Sequence, residues 1–196
     1  INFELLRPRA GFIINNYMVQ LSGGVVNQID KLIIAPLLGF VLLGNYALAL
    51  QFVMIMLIIP GIVFKYLLPH DAAGDSNKKL RIITVLVSIG ITSLGIILSP
   101  IIIPSLFPKY VGVVEAIQIM SFAVIPATIG LLYSSKFLGQ EKSKYVLITS
   151  LIQVSITVSG MLVLGPIFGL LGIASTYVIA SSIRSVLLVY LVRFTR

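Results

Sequence analysis

Six long apolar stretches separated by short polar breaks run through this chain, and its basic residues gather on alternate breaks. The stretches cover residues 10–34, 44–68, 80–103, 112–138, 145–164 and 170–192 of the 196. A helix needs roughly 20 apolar residues to cross the hydrocarbon core of a bilayer. Six crossings with short links therefore use nearly the whole chain and leave no room for a soluble domain. Barrel strands would be about half as long and would alternate apolar with polar residues, which these stretches do not do. The expected fold class is all-α, a polytopic membrane protein whose residues 1–196 form one bundle of six transmembrane helices.

Charge is scarce enough to support this. Only 10% of the residues are charged and 58% are hydrophobic, whereas a soluble domain carries about 25% charged residues. The formal net charge is +8, but the cations form no run interleaved with aromatics, so nucleic acid is excluded as a partner. Their placement explains them better. Arg7 and Arg9 precede the first stretch. Lys65, Lys78, Lys79 and Arg81 flank the second break, Lys136, Lys142 and Lys144 the fourth, and Arg193 and Arg196 follow the last stretch. These are eleven of the 14 lysines and arginines. Lys31 and Lys109 lie on the other side, and Arg184 lies within a stretch. The positive-inside rule puts both chain ends in the cytoplasm, in keeping with an even number of crossings. The expected location is the cell membrane.

Several chemistries are absent. There is no cysteine and a single histidine, His70, so thiolate and histidine metal sites are excluded. No glycine-rich phosphate loop, paired acids on one face, or nucleophile beside a histidine appears. The chain reads as a transporter and not an enzyme, and no cofactor is expected. The opening INFELLRPRA lacks a signal-peptide core. With Ile1 in first place, the chain reads as a piece of a longer protein.

The polar residues inside the stretches carry the functional clue. Asn16, Gln20, Gly23, Asn27, Asp30 and Lys31 fall within about a third of the circumference of the first helix. Such a stripe faces either neighbouring helices, as amide glue, or a watery cavity, and six positions on one face favour the cavity. Asp30 and Lys31 near the outer end read equally as an interfacial charge pair or as a gate or ion-coupling site. Tyr177, Ser181 and Arg184 share a face of the sixth helix, with Ser185 nearby. Arg184 either snorkels to the cytoplasmic surface or contacts an anion through its guanidinium fork. Ser150, Gln153 and Thr157 share a face of the fifth helix and read as packing, as do Gln51 and Gln118. His70, Asp71 and Asp75 read as a solvated link. Pro60 and Pro126 are expected to kink their helices, and Pro100 and Pro104 to close the third.

Three runs resemble the polysaccharide and O-antigen flippases, which belong to the multidrug, oligosaccharidyl-lipid and polysaccharide exporter superfamily. In NQIDKLIIAPLLGFVLLGNYALALQF, Asp30, Leu38-Gly39, Gly44, Tyr46 and Ala49 match an Asp-bearing helix end, a Leu-Gly step and a Gly-x-Tyr-x-x-Ala opening. In LLYSSKFLGQEKSKYVLITSLIQ, Gly139 and Lys142 match a Leu-x-Gly-x-x-Lys link. In GPIFGLLGIASTYVIASSIRSVLL, Gly169, Gly172 and Ala174 match the loop opening the last helix of a lobe, with Ser175 and Thr176 in a shifted small-residue pattern.

The resemblance covers nearly the whole chain through soft, small-residue motifs. It implies one six-helix lobe of a two-lobe exporter, with a partner lobe outside this chain, and the missing start methionine and basic lead-in suggest the second lobe. The implied substrate is a lipid-linked oligosaccharide or polysaccharide repeat unit on a pyrophosphate, flipped by alternating access. On that reading Asn16, Gln20, Asn27, Tyr177, Ser181 and Arg184 bind substrate, Arg184 holding the pyrophosphate. An ion-coupled multidrug exporter of the same superfamily is the second reading. A non-transporting membrane scaffold or enzyme subunit is the third.

Overall fold

An apolar chain without strand-like alternation satisfies its backbone most simply as helix, and all the regular structure among the described residues is helical. The computed structural model describes residues 10–75 and 77–194, leaving aside the side chains of Ala10, Phe12, Val19, Gln20 and residues 22–31. The helices are α1 (Ala10–Leu38), α2 (Phe40–Met56), α3 (Ile58–Ala72), α4 (Lys78–Leu106), α5 (Val114–Ser121), α6 (Val124–Gly139) and α7 (Ser143–Phe194), with a 3-10 turn at Pro108–Val113 before α5. Among the described residues, α4 and α7 are long and apolar enough to cross a membrane. The pair α2–α3, and the stretch from the 3-10 turn and α5 through α6, each qualify when taken together, so two to four candidate spans are present.

The bent pairs follow the prolines. The α2–α3 bend is 48° and the bend before α6 is 44°. Each bend lies just ahead of a proline, Pro60 and Pro126, which is the third residue of the helix that follows. In the first helical turn the missing proline N–H has no intrahelical partner to lose, so the helix restarts there.

Pro100 and Pro104 behave otherwise. The sequence reading closes the third helix with them, but both lie inside α4, which continues to Leu106. A proline at position 100 leaves the Ile96 carbonyl without its usual donor. Gln118 of α5 supplies one, its Nε2 donating to the Ile96 oxygen at 3.1 Å. A neighbouring helix thus satisfies the freed group, as membrane interiors require. Gln118 is a packing amide, as its sequence context implies.

The longest helix contains a reversal. A straight helix of 52 residues would run about 78 Å, far beyond a bilayer's hydrocarbon core of about 30 Å. Gly169 breaks it, with φ 58° and ψ −133°, a conformation that only glycine adopts readily. The two arms fold back on each other. A Cβ added at Gly160 would lie 2.4 Å from Thr176 Cγ2, and Gln153 is hydrogen bonded to Arg184. The break therefore falls a few residues after the Gly165-Pro166 step that marks it in the sequence. Similarly, the first break contracts to Gly39 alone, because α1 runs on to Leu38 through Pro36.

α4 is inside out relative to a soluble helix. Its buried face carries Thr84, Ser88, Thr92 and Ser99, while Ile82, Leu86, Ile97 and Ile101 are exposed on its outside. The hydroxyls of Thr84 and Thr92 donate one turn back, to Leu80 and Ser88 carbonyls at 2.7 and 2.8 Å. Small residues that silence their own hydroxyls let helices approach closely where lipid provides no hydrophobic drive.

The bundle has two distinct ends. Gly165 and Gly169 at the α7 reversal face Leu38 and Leu42 on either side of the Gly39 break. The larger buried cluster, with Ile34, Tyr46, Ala49, Ile103, Val113 and Ile173, belongs to this half. At the opposite end the termini of α3, α4, α6 and α7 meet above a smaller cluster of Phe137, Val146 and Leu188.

Candidate functional site

Arg184 lies ten residues from Phe194, the last residue of α7, or about 15 Å along the helix. That is about half the hydrocarbon thickness. The side chain does not run to the basic end. Its Nη1 donates to Gln153 Oε1 on the facing arm at 3.1 Å, and its Nε is buried without a hydrogen bond. This interhelical contact is one that neither reading of the sequence includes. Gln153, read there as packing, is the arginine's partner. Ser181 and Ser185 are buried beside it in sequence on the same arm, and Tyr177, about two turns earlier, packs against the larger core cluster. The arrangement is a guanidinium midway along an arm of a candidate span, bonded to the neutral Gln153, with an Nε that makes no hydrogen bond. Chemically it can accept an anion.

Of the stripe on α1, Asn16 is half-buried. Gln20, Asn27, Asp30 and Lys31 lie outside the described side chains. Asn16 and Arg184 are not brought into contact by any described hydrogen bond.

A second polar cluster was missed. Asp71, expected in a solvated link, is the penultimate residue of α3 and its side chain is only 2% exposed. Both of its carboxylate oxygens accept from Arg81 Nη2 at 2.6 Å, and Ser135 Oγ of α6 donates to Oδ2 at 2.5 Å. Arg81 Nη1 also donates to the Leu132 carbonyl of α6. One carboxylate thereby ties α3, α4 and α6 together. The link is shorter than the sequence implies because α3 continues to Ala72. His70 is helical as well, its Nδ1 donating to the Tyr66 carbonyl at 2.9 Å and its ring tilted against that of Tyr66. The signal was the period: Asp71 follows the buried Leu67 by one helical turn and shares its face. Gly139 of α6 allows the approach, since a Cβ there would lie 2.8 Å from the Ala72 nitrogen and the Asp71 carbonyl carbon.

Beside this cluster a cavity of about 510 Å³ opens at the basic end, lined by Lys78, Arg81, Lys136 and Arg193 with Tyr133 and aliphatic residues. The cations come from three elements: the start of α4, the end of α6 and the end of α7. A second, mainly apolar cavity of about 380 Å³ shares Arg81, Ile82, Tyr133 and Val189 with the first and extends past Val85, Leu86 and Ile129. Among the described residues no group of three or more histidines, acids or cysteines could hold a metal ion.

The fold and these two sites define an all-helical protein with candidate membrane spans and cations both at mid-span and at one end. The chain matches no protein-family model, no curated protein and no solved structure at significance.

Proposed function

We propose that this chain is one six-crossing lobe of a two-lobe exporter that flips lipid-linked oligosaccharide or polysaccharide repeat units from the cytoplasmic to the outer leaflet. The observation that carries the reading is Arg184, a cation at the middle of an apolar arm with a neutral partner and an unused Nε donor. A cation at that depth is expensive unless function retains it, and guanidinium geometry suits pyrophosphate oxygens.

The α7 reversal and the two bent pairs give six rods when α1 and α4 are added. The basic termini of α4, α6 and α7 collect at one end, so that end is the cytoplasmic one. Both chain ends then lie in the cytoplasm of a multi-pass cell-membrane protein. The second lobe completes the path. Substrate sugars bond to the amides of α1, Asn16, Gln20 and Asn27, while the lipid tail remains in the bilayer and rocking of the lobes changes access. Asp30 and Lys31 sit toward the outer end, where a gate would act.

The experiment is depletion of the full-length protein from cells, followed by measurement of lipid-linked glycan in each leaflet. Accumulation on the cytoplasmic leaflet is the expected result. Undiminished display on the outer leaflet would rule the reading out.

A further inference from the structure

The paired cavities at the basic end combine two properties that are unusual together. The first is lined by four cations, and no carboxylate lines it. Asp71, beside Arg81, is turned to Arg81 and Ser135. The second is continuous with the first through Arg81, Ile82, Tyr133 and Val189, and its remaining lining is aliphatic. Ile82 and Leu86, both 62% exposed, form its outer edge on α4. From Lys78 to Leu86 the cleft follows α4 for about 12 Å, from the helix start well into the apolar span.

We propose that this cleft is a binding site for an anionic phospholipid of the same leaflet, with its phosphodiester headgroup among Lys78, Lys136 and Arg193 and an acyl chain along Val85, Leu86 and Ile129. Charge complementarity selects the headgroup: cations converging from three helix ends attract an anion, and a zwitterionic headgroup brings no net charge. The apolar extension selects a lipid over a free phosphate, which would use only the first half of the cleft. Basic pockets between membrane helices on the cytoplasmic side are suited to such headgroups. Arg81 contributes least to the headgroup, because its guanidinium is held by Asp71 and the Leu132 carbonyl. The bound lipid would bridge α4, α6 and the second arm of α7, acting as a strut at the end that also holds the Asp71 cluster and the small core. This inference needs membrane insertion and does not depend on the flippase reading. The site is at the basic end, away from Arg184 at mid-span.

The test uses the full chain, purified in detergent and stripped of lipid. Phosphatidylglycerol, phosphatidylcholine, glycerol phosphate and a polyprenyl monophosphate are titrated separately, with binding followed by native mass spectrometry and thermal unfolding. Phosphatidylglycerol should bind and raise the unfolding temperature, and phosphatidylcholine should not. The triple variant Lys78→Gln, Lys136→Gln, Arg193→Gln should weaken phosphatidylglycerol binding by about tenfold or more, and Leu86→Asn should weaken it without changing its salt dependence. Equal binding of phosphatidylcholine, or an unaltered affinity in the triple variant, would overturn the proposal. So would glycerol phosphate binding as tightly as the lipid, which would make this an ion site. Preference for the polyprenyl phosphate would likewise reassign the cleft. Should the triple variant not fold, the four-ligand series on the unaltered chain decides alone.

Discussion

Asp71 and Arg81 form a bidentate pair, with both carboxylate oxygens 2.6 Å from Nη2, in which the acid closes α3 and the arginine opens α4. Ser135 completes the acid's coordination from α6. The pair crosses a five-residue link between the two helices (residues 73–77), so it fixes the angle at which α4 leaves α3.

Replacing Asp71 by Asn should be the most damaging change at the basic end. It removes the counter-charge of Arg81 and leaves the guanidinium with neutral acceptors, the amide oxygen and the Leu132 carbonyl. Removing one member of a buried pair costs about 3–5 kcal/mol. Arg81 is 16% exposed, so a loss of about 2–4 kcal/mol is expected. Thermal unfolding in detergent checks this. Unchanged stability of Asp71→Asn would show that the pair does not hold the helices.

Gly139 should tolerate no side chain. A Cβ would press on the backbone of Asp71 and Ala72 at 2.8 Å, and backbone cannot rotate away. Gly139→Val should destabilise by about 1–3 kcal/mol, as overpacking does. Gly90, with nothing within 4 Å, is the control. Gly90→Ala should be neutral or stabilising by up to about 1 kcal/mol. Equal effects at the two positions would contradict the α3–α6 contact.

The α7 reversal predicts a disulfide. A Cβ at Gly160 lies 3.2 Å from Thr176 Cβ, near the spacing of bridged cysteines, about 3.5–4.5 Å. The natural chain has no cysteine, so the pair Gly160→Cys and Thr176→Cys should be the sole thiols and should oxidise readily in membranes. On an unbroken helix the same positions would be about 24 Å apart, and no bridge could form.

The same lack of cysteine makes topology measurable. Lys109→Cys should react with an impermeant maleimide from outside the cell, and Asn77→Cys only after the membrane is opened. Labelling of both from one side would contradict the orientation inferred from the basic residues.

Legibility in the sequence differed from place to place for physical reasons. The apolar stretches located the helices, because length and hydropathy are local properties. The sites of Pro60 and Pro126 located two bends for the same reason. The fate of Pro100 was not local: α4 continues because Gln118, 22 residues away, satisfies the Ile96 carbonyl. Asp71 reads as a loop residue because Asp75 and the run from Ser76 to Lys79 that follow it are polar. Its burial depends on Arg81 and Ser135, which only the fold brings near. The Tyr177, Ser181 and Arg184 face was read from helical spacing, but its partner Gln153 needed the Gly169 reversal. The basic cavity unites residues up to 115 positions apart, from Lys78 to Arg193, and charge counting groups its cations without giving its shape.

Transport itself is tested by reconstitution. Full-length protein is placed in liposomes with a polyprenyl pyrophosphate carrying a fluorescent oligosaccharide, and exposure of the label to an impermeant quencher is followed over time. The account predicts transfer between leaflets by the unaltered protein, and a rate about 10–100-fold lower for Arg184→Gln, the loss expected for a charged hydrogen bond to the pyrophosphate. No transfer by the unaltered protein, or equal rates for the two, would contradict it.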